Sequence, residues 1–95
     1  MKVSELLDVF SRFDEDLEFD NTFNIIEYNG ICLIEPLFKD ENISNKSFKE
    51  ILENMNPDLD IYISLEEFEN TGYPQLVSVQ LNSDRQLILI DEFYN

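Results

Sequence analysis

Hydrophobic positions change period along the chain, and the changes mark its elements. Leu6, Leu7, Val9, Phe10 and Phe13 recur at spacings of three and four, which puts them on one stripe of a helix. Ser4 stands where an N-cap is wanted and Glu5 falls in the first turn, so the pattern predicts a helix from about residue 4 to about residue 13. A helix this short is not stable alone in water, so its stripe must pack on something. From Phe13 the period becomes two. Leu17 and Phe19 face one way and Asp16, Glu18 and Asp20 the other, as in a short strand with one carboxylate-covered face. Asn21-Thr22 marks a turn. Residues 23–28 and 31–35 then flank Asn29-Gly30, a dipeptide that supplies the positive φ angles of a type I′ hairpin turn. Ile31-Cys32-Leu33-Ile34 is apolar on both faces, which suits a central strand, and Pro36 ends it.

The second half follows the same order. After a polar connection over residues 37–46, Ser47-Phe48-Lys49-Glu50 reads as a capping box, and a helix is expected from about residue 48 to about residue 55. Pro57 forbids its continuation. Leu59, Ile61 and Ile63 then alternate against Asp58, Asp60 and Tyr62. The two halves align with Leu6 on Phe48, Val9 on Ile51, Phe10 on Leu52, Phe13 on Met55, Asp16 on Asp58, Leu17 on Leu59 and Phe19 on Ile61. The chain therefore reads as one domain with an internal repeat, residues 3–36 and 46–91. Residues 64–74 are an insertion, a loop with room for one helical turn. Leu76, Val77, Val79 and Leu81 open a strand, Asn82-Ser83-Asp84 turns, and residues 87–90 return. The expected fold class is α+β: two αβββ-like units, a mostly antiparallel sheet and two short helices on one face.

Charge changes the picture more than length does. The 95 residues carry 21 acidic side chains against 6 Lys and Arg, a net charge of −15. That balance opposes direct binding to nucleic acid or an anionic membrane. It fits a basic partner, a bound cation, or solubility alone. Eight Phe and four Tyr within 43% hydrophobic residues still leave enough apolar surface for a modest core. Cys32 is the only cysteine, so no intramolecular disulfide can form; inside its apolar run it reads as a buried small hydrophobe. A reducing cytoplasm suits it, and no signal peptide or membrane span is expected.

Most catalysis drops out. Without histidine no Ser-His or Cys-His nucleophile pair exists, and two glycines cannot build a phosphate-cradling loop. Thiolate–imidazole zinc chemistry is absent. A carboxylate pair could in principle hydrolyse glycosides, but so small a domain offers no predicted cleft. Asp16, Glu18, Asp20, Thr22, Asn24 and Glu27 follow the ligand order of a calcium-binding EF-hand loop. Asn21 nonetheless stands where that loop needs glycine, Glu18 is longer than the usual third ligand, and a strand replaces the exit helix. The preferred reading there is a half-exposed strand and hairpin, with no metal and no cofactor.

The remaining constellation is acidic display. Asp14, Asp16, Glu18 and Asp20 alternate, and in a strand they would lie about 6.6 Å apart on one face. Asp58 and Asp60 repeat the pattern, and Glu66, Glu67 and Glu69 sit on the insertion loop beside Phe68 and Tyr73. Regular carboxylates could imitate a phosphate backbone before a Lys/Arg-lined groove; the plainer alternative is a solvated face that guards a sheet edge.

The opening Val3-Ser4-Glu5-Leu6-Leu7 with Phe13-Asp14-Glu15-Asp16-Leu17-Glu18-Phe19 resembles the start of many small acidic phage and prophage proteins. In these a short helix turns through an acidic corner into a strand. By type, the chain resembles phage anti-defence inhibitors, including anti-CRISPR proteins and DNA mimics. The resemblance implies a non-enzymatic inhibitor in the host cytoplasm that binds a basic, nucleic-acid-binding surface of a defence protein. Asp14, Asp16, Glu18, Asp20, Asp58, Asp60, Glu66, Glu67 and Glu69 would carry the charge, and Phe68 and Tyr73 the apolar anchors. The alternatives are a small assembly adaptor with a solubilising surface, and a weak cation-binding module.

Overall fold

The chain folds as an α+β protein in a computed structural model that describes residues 1–94. The elements are α1 (Val3–Phe10), β1 (Phe23–Tyr28), β2 (Ile31–Pro36), α2 (Asn45–Glu53), β3 (Ile61–Ile63), a 3-10 turn (Glu66–Phe68), β4 (Leu76–Leu81) and β5 (Leu87–Asp91). β1 and β2 form an antiparallel hairpin, as do β4 and β5. β2 also pairs in parallel with β3, and α2 lies on the crossover that a parallel pair requires. Asn29 (φ 50°) and Gly30 (φ 80°) make the first hairpin turn through the left-handed region, as their sequence requires. β2 lies between β1 and β3, with Cys32 and Ile34 buried on one face and Ile31 and Leu33 half-buried on the other.

The two halves are interlocked. A helix begins with backbone N–H groups that have no partner within the helix. At α1, Val3 donates to the carbonyl of Leu59 (2.9 Å) and Ser4 to that of Pro57 (3.0 Å). At α2, Asn45 donates to the carbonyl of Leu17 (2.7 Å) and Lys46 to that of Glu15 (3.2 Å). Each helix start is thus completed by the other half's corner. The strands exchange in the same way: Cys32 N–H donates to the Asp60 carbonyl (2.8 Å), and Leu87 N–H to the Glu18 carbonyl (2.8 Å). The segments entering the helices close the pattern, with Ile61 N–H on the Met1 carbonyl (2.9 Å) and Phe19 N–H on the Ile43 carbonyl (2.8 Å).

These exchanges explain the local departures from the sequence pattern. α2 starts at Asn45, not near residue 48, because the Leu17 and Glu15 carbonyls draw its first turn back. Ser44 is its cap, with the Ser44 Oγ accepting the Ser47 N–H at 3.1 Å, so Ser47 is not the capping residue. α1 starts at Val3, and the Glu5 carboxylate accepts the Lys2 N–H at 3.0 Å, leaving Ser4 inside the helix. Residues 14–20 do not form the expected strand. A turn closed by Leu17 N–H on the Asp14 carbonyl (3.2 Å) leaves only Glu18 and Phe19 in ladder contact, with Ser44 and Leu87 respectively.

The interlock surrounds one apolar cluster. Val3, Leu6 and Phe10 of α1, Phe48 and Leu52 of α2, and Phe19, Ile34, Ile61, Leu76 and Leu87 are fully buried. Phe19 and Phe48 lie 4.9 Å apart between ring centroids, and Phe10 meets both edge-on at 5.4 and 5.1 Å. Such aromatic pairs add about 0.5–1.5 kcal/mol each beyond their burial.

One polar side chain enters this core. Asn45, fully buried, occupies the place in α2 that Val3 occupies in α1. Its Nδ2 donates to the carbonyls of Phe10 (3.2 Å), Asp14 (3.1 Å) and, more weakly, Phe13 (3.4 Å). It therefore satisfies carbonyls left open where α1 ends. Its Oδ1 has no partner among the described residues.

Candidate functional site

The structure separates the acidic residues read from the sequence into three places. Asp16 and Glu18 line a shallow polar basin with Glu15, Glu41, Ser44 and Lys46, and Asp14 sits exposed on the neighbouring turn. Since residues 14–17 turn, these carboxylates do not form a straight row. Asp58 and Asp60 lie on the opposite corner beside Lys2, whose Nζ stands 3.8 Å from the Asp60 carboxylate and donates to the Asp58 carbonyl at 3.2 Å. Asp20, Glu66, Glu67, Glu69 and Tyr73 gather at the third place, around the exposed side chain of Phe38.

That third place is built around Phe38. After β2 the chain reverses over the buried side chain of Asn21, whose Oδ1 accepts the N–H groups of Thr22 (2.8 Å) and Phe38 (2.9 Å). Leu37 N–H donates to the Thr22 carbonyl at 3.0 Å. Pinned this way, Phe38 adopts φ 53°, a left-handed conformation uncommon for an aromatic residue. Its side chain is 80% exposed, the most open large hydrophobic side chain among the described residues. Strain of this kind persists only where the surroundings hold it, and it concentrates at functional sites.

Three hollows meet at Phe38 and at its neighbour Leu65. One, of about 370 Å³, lies among Glu35, Pro36, Ser64, Glu66, Glu69 and Tyr73. A second, of about 230 Å³, reaches down to Phe23, Ile63, Ile88 and Leu89, with Asp20 and Asp91 at its mouth. The third is a wide dish bounded by Glu66 and Glu67. No Lys or Arg lines any of them among the described residues, and Lys39, although next to Phe38 in the chain, lies outside all three. Partial burial pushes the Asp20 carboxyl above its ordinary value, while its own backbone hydrogen bond pulls it back. The result is an apolar floor inside a rim of carboxylates.

Phe68 is half-buried and stacks on Phe93, with centroids 5.3 Å apart and planes at 25°. It props the insertion loop, and Phe38 is the aromatic side chain presented outward. Sequence reading placed residue 38 in a polar connection and so passed over it. The available signal was Pro36-Leu37-Phe38, an apolar pair just past a strand-ending proline.

The EF-hand ligand order weighed from sequence does not fold into a loop. Asn24 and Glu27, which an EF-hand loop would bend round a cation, lie extended in β1 and pair with Glu35 and Cys32. No group of three or more His, Cys, Asp or Glu side chains is placed to hold a metal ion among the described residues. Cys32 is fully buried, and burial first, then the Glu27 charge, pushes its thiol up to about 11. No described helix is long and apolar enough to cross a membrane. Comparison with family models, with curated proteins and with solved structures finds no match for the chain.

Proposed function

We propose that the protein performs no chemistry of its own and acts as an inhibitor that occupies a basic, nucleic-acid-binding surface of another protein, the target class being a host defence protein of the kind phage anti-defence proteins engage. The observation that carries this reading is the groove at Phe38, where an open aromatic side chain stands inside carboxylates with no Lys or Arg in the lining among the described residues. A net charge of −15 steers encounter with a cationic partner, and the apolar floor supplies the contact area that holds it. The regular carboxylate row at residues 14–20 is no part of the support, because that segment turns. Mimicry in this protein is of charge density, not of phosphate spacing.

The test is affinity capture from host lysate with nuclease treatment, followed by competition. Basic nucleic-acid-binding proteins should be retained at low salt, released by half-molar salt, and displaced by duplex DNA or RNA in proportion to its occupancy. Retention that survives both treatments excludes the inhibitor reading.

A second reading, an assembly adaptor, is favoured by the sheet edges. Ile26 and Tyr28 on β1 are 41% and 57% exposed, and Val77 and Leu81 on β4 are 49% and 43% exposed. An adaptor using these strands would bind by backbone pairing and apolar contact, with little dependence on salt.

A further inference from the structure

The hollow beneath Phe38 is of a size to take one large side chain. At about 230 Å³ it is small for a ligand pocket, and it opens beside Phe38 onto the cleft of about 370 Å³ that Glu35, Glu66 and Glu69 line. Its floor is apolar, formed by Phe23, Ile63, Leu65 and Leu89, and carboxylates surround its mouth and the adjoining cleft. A second copy of this chain is a poor occupant, because it would bring another charge of −15 to a rim that is already acidic.

We infer that the groove binds a protein segment bearing Lys or Arg on both sides of one large apolar residue, the apolar residue filling the hollow beside Phe38 and the cations meeting Glu66, Glu67, Glu69 and Asp20. This rests on the proposed function and names the part of the partner that is recognised. The division of labour follows from the geometry. The exposed carboxylates act through a screened field and set the rate of encounter. The hollow excludes water around the anchor and sets how long the complex lasts. Asn21 holds the Phe38 backbone in place before the partner arrives, so little ordering remains to be done on binding.

The chain contains no tryptophan, which makes a tryptophan-bearing peptide a clean reporter. The probes are a lysine–serine peptide with one central tryptophan and its alanine counterpart, measured by calorimetry and by tryptophan emission. In low salt the tryptophan peptide should bind about thirtyfold more tightly than the alanine peptide, the size of a lost anchor, with blue-shifted emission. Phe38→Asn should abolish that difference while preserving the melting temperature, because asparagine tolerates the left-handed backbone at residue 38. Combined Glu66→Gln, Glu67→Gln and Glu69→Gln should weaken both peptides at low salt and neither in half-molar salt; these exposed changes test the site even if Phe38→Asn fails to fold.

Equal binding of the two peptides, or an anchor preference that survives Phe38→Asn, overturns the groove assignment and leaves general binding of cationic surfaces standing. Failure of both peptides to bind at low salt overturns the groove and the proposed function together. Concentration-dependent dimerisation that Phe38→Asn abolishes assigns the groove to a second copy and also overturns the inference.

Discussion

Replacing Asn45 by aspartate changes only an amide nitrogen into an oxygen, yet the geometry predicts a large loss of stability. The Nδ2 position lies 3.1, 3.2 and 3.4 Å from three backbone carbonyl oxygens. In Asn45→Asp the hydrogen bonds to these three carbonyls disappear, and a carboxylate faces the same oxygens at the edge of the core. Breaking a buried charged arrangement by leaving one side uncompensated costs about 3–5 kcal/mol. The native state of a 95-residue chain is worth about 0.05–0.15 kcal/mol per residue, or about 5–14 kcal/mol, so the loss removes from about a fifth to nearly all of it at neutral pH. Asn45→Ala should cost less, about 1–3 kcal/mol, since it strands the carbonyls but also removes the unpaired Oδ1. The two variants separate by pH. The aspartate carboxyl is neutralised more easily in the folded protein than in the unfolded chain, so its folded-state pKa is raised. The penalty is therefore full above that raised pKa and shrinks as pH falls through it towards the unfolded value, where a protonated carboxyl can again donate to a carbonyl. Urea titrations of parent, Asn45→Ala and Asn45→Asp at neutral and mildly acidic pH measure this directly. An aspartate variant no less stable than the alanine variant at neutral pH, or a gap between them that does not narrow in acid, would refute the reasoning.

Two further outcomes follow from the same structure. Ser44→Ala removes the oxygen that accepts the Ser47 N–H and should cost about 1 kcal/mol in urea unfolding, whereas Ser47→Ala should cost clearly less, since Ser47 is not the cap. The Cys32 thiol is pushed up to about 11 from an ordinary 9.0, so its contribution to stability is present below the unfolded value and lost as pH rises through the folded one. Thiol-reagent labelling of the native protein should accordingly be slow at neutral pH and follow global unfolding in denaturant; rapid labelling of folded protein would show the thiol to be accessible.

What could be read from sequence was what local chemistry decides. Asn29-Gly30 requires a left-handed pair wherever it occurs, and Ile31–Ile34 is too apolar to lie at an edge, so the first hairpin and the central place of β2 were legible. Helix starts were not, because their N–H groups are met by Leu59, Pro57, Leu17 and Glu15 across the chain. Asn45 was indistinguishable from its polar neighbours in the connection, since its burial depends on carbonyls at the far end of α1. Within the candidate site, Glu66, Glu67, Glu69 and Tyr73 were visible as an acidic loop with an aromatic residue. Phe38 was not, because its exposure is set by Asn21, a residue that reads as an ordinary turn former. The strand expected at residues 16–20 failed because alternation describes the pattern of Leu17 and Phe19 equally well when a turn precedes two bridged residues.

Exchange of partners between the halves also constrains how the chain can fold as it is made. Val3 and Ser4 find their acceptors at Leu59 and Pro57, and the Glu18 carbonyl accepts from the N–H of Leu87. On a ribosome, the first helix and its corner emerge long before any of those partners exist. The leading half must wait, tethered and incompletely paired, until β5 has cleared the exit tunnel. Emergence of the second half, not of the first, then sets when the leading helix can complete its pairing. For so acidic a polypeptide the wait is tolerable, because mutual repulsion between nascent chains keeps their unpaired strands apart.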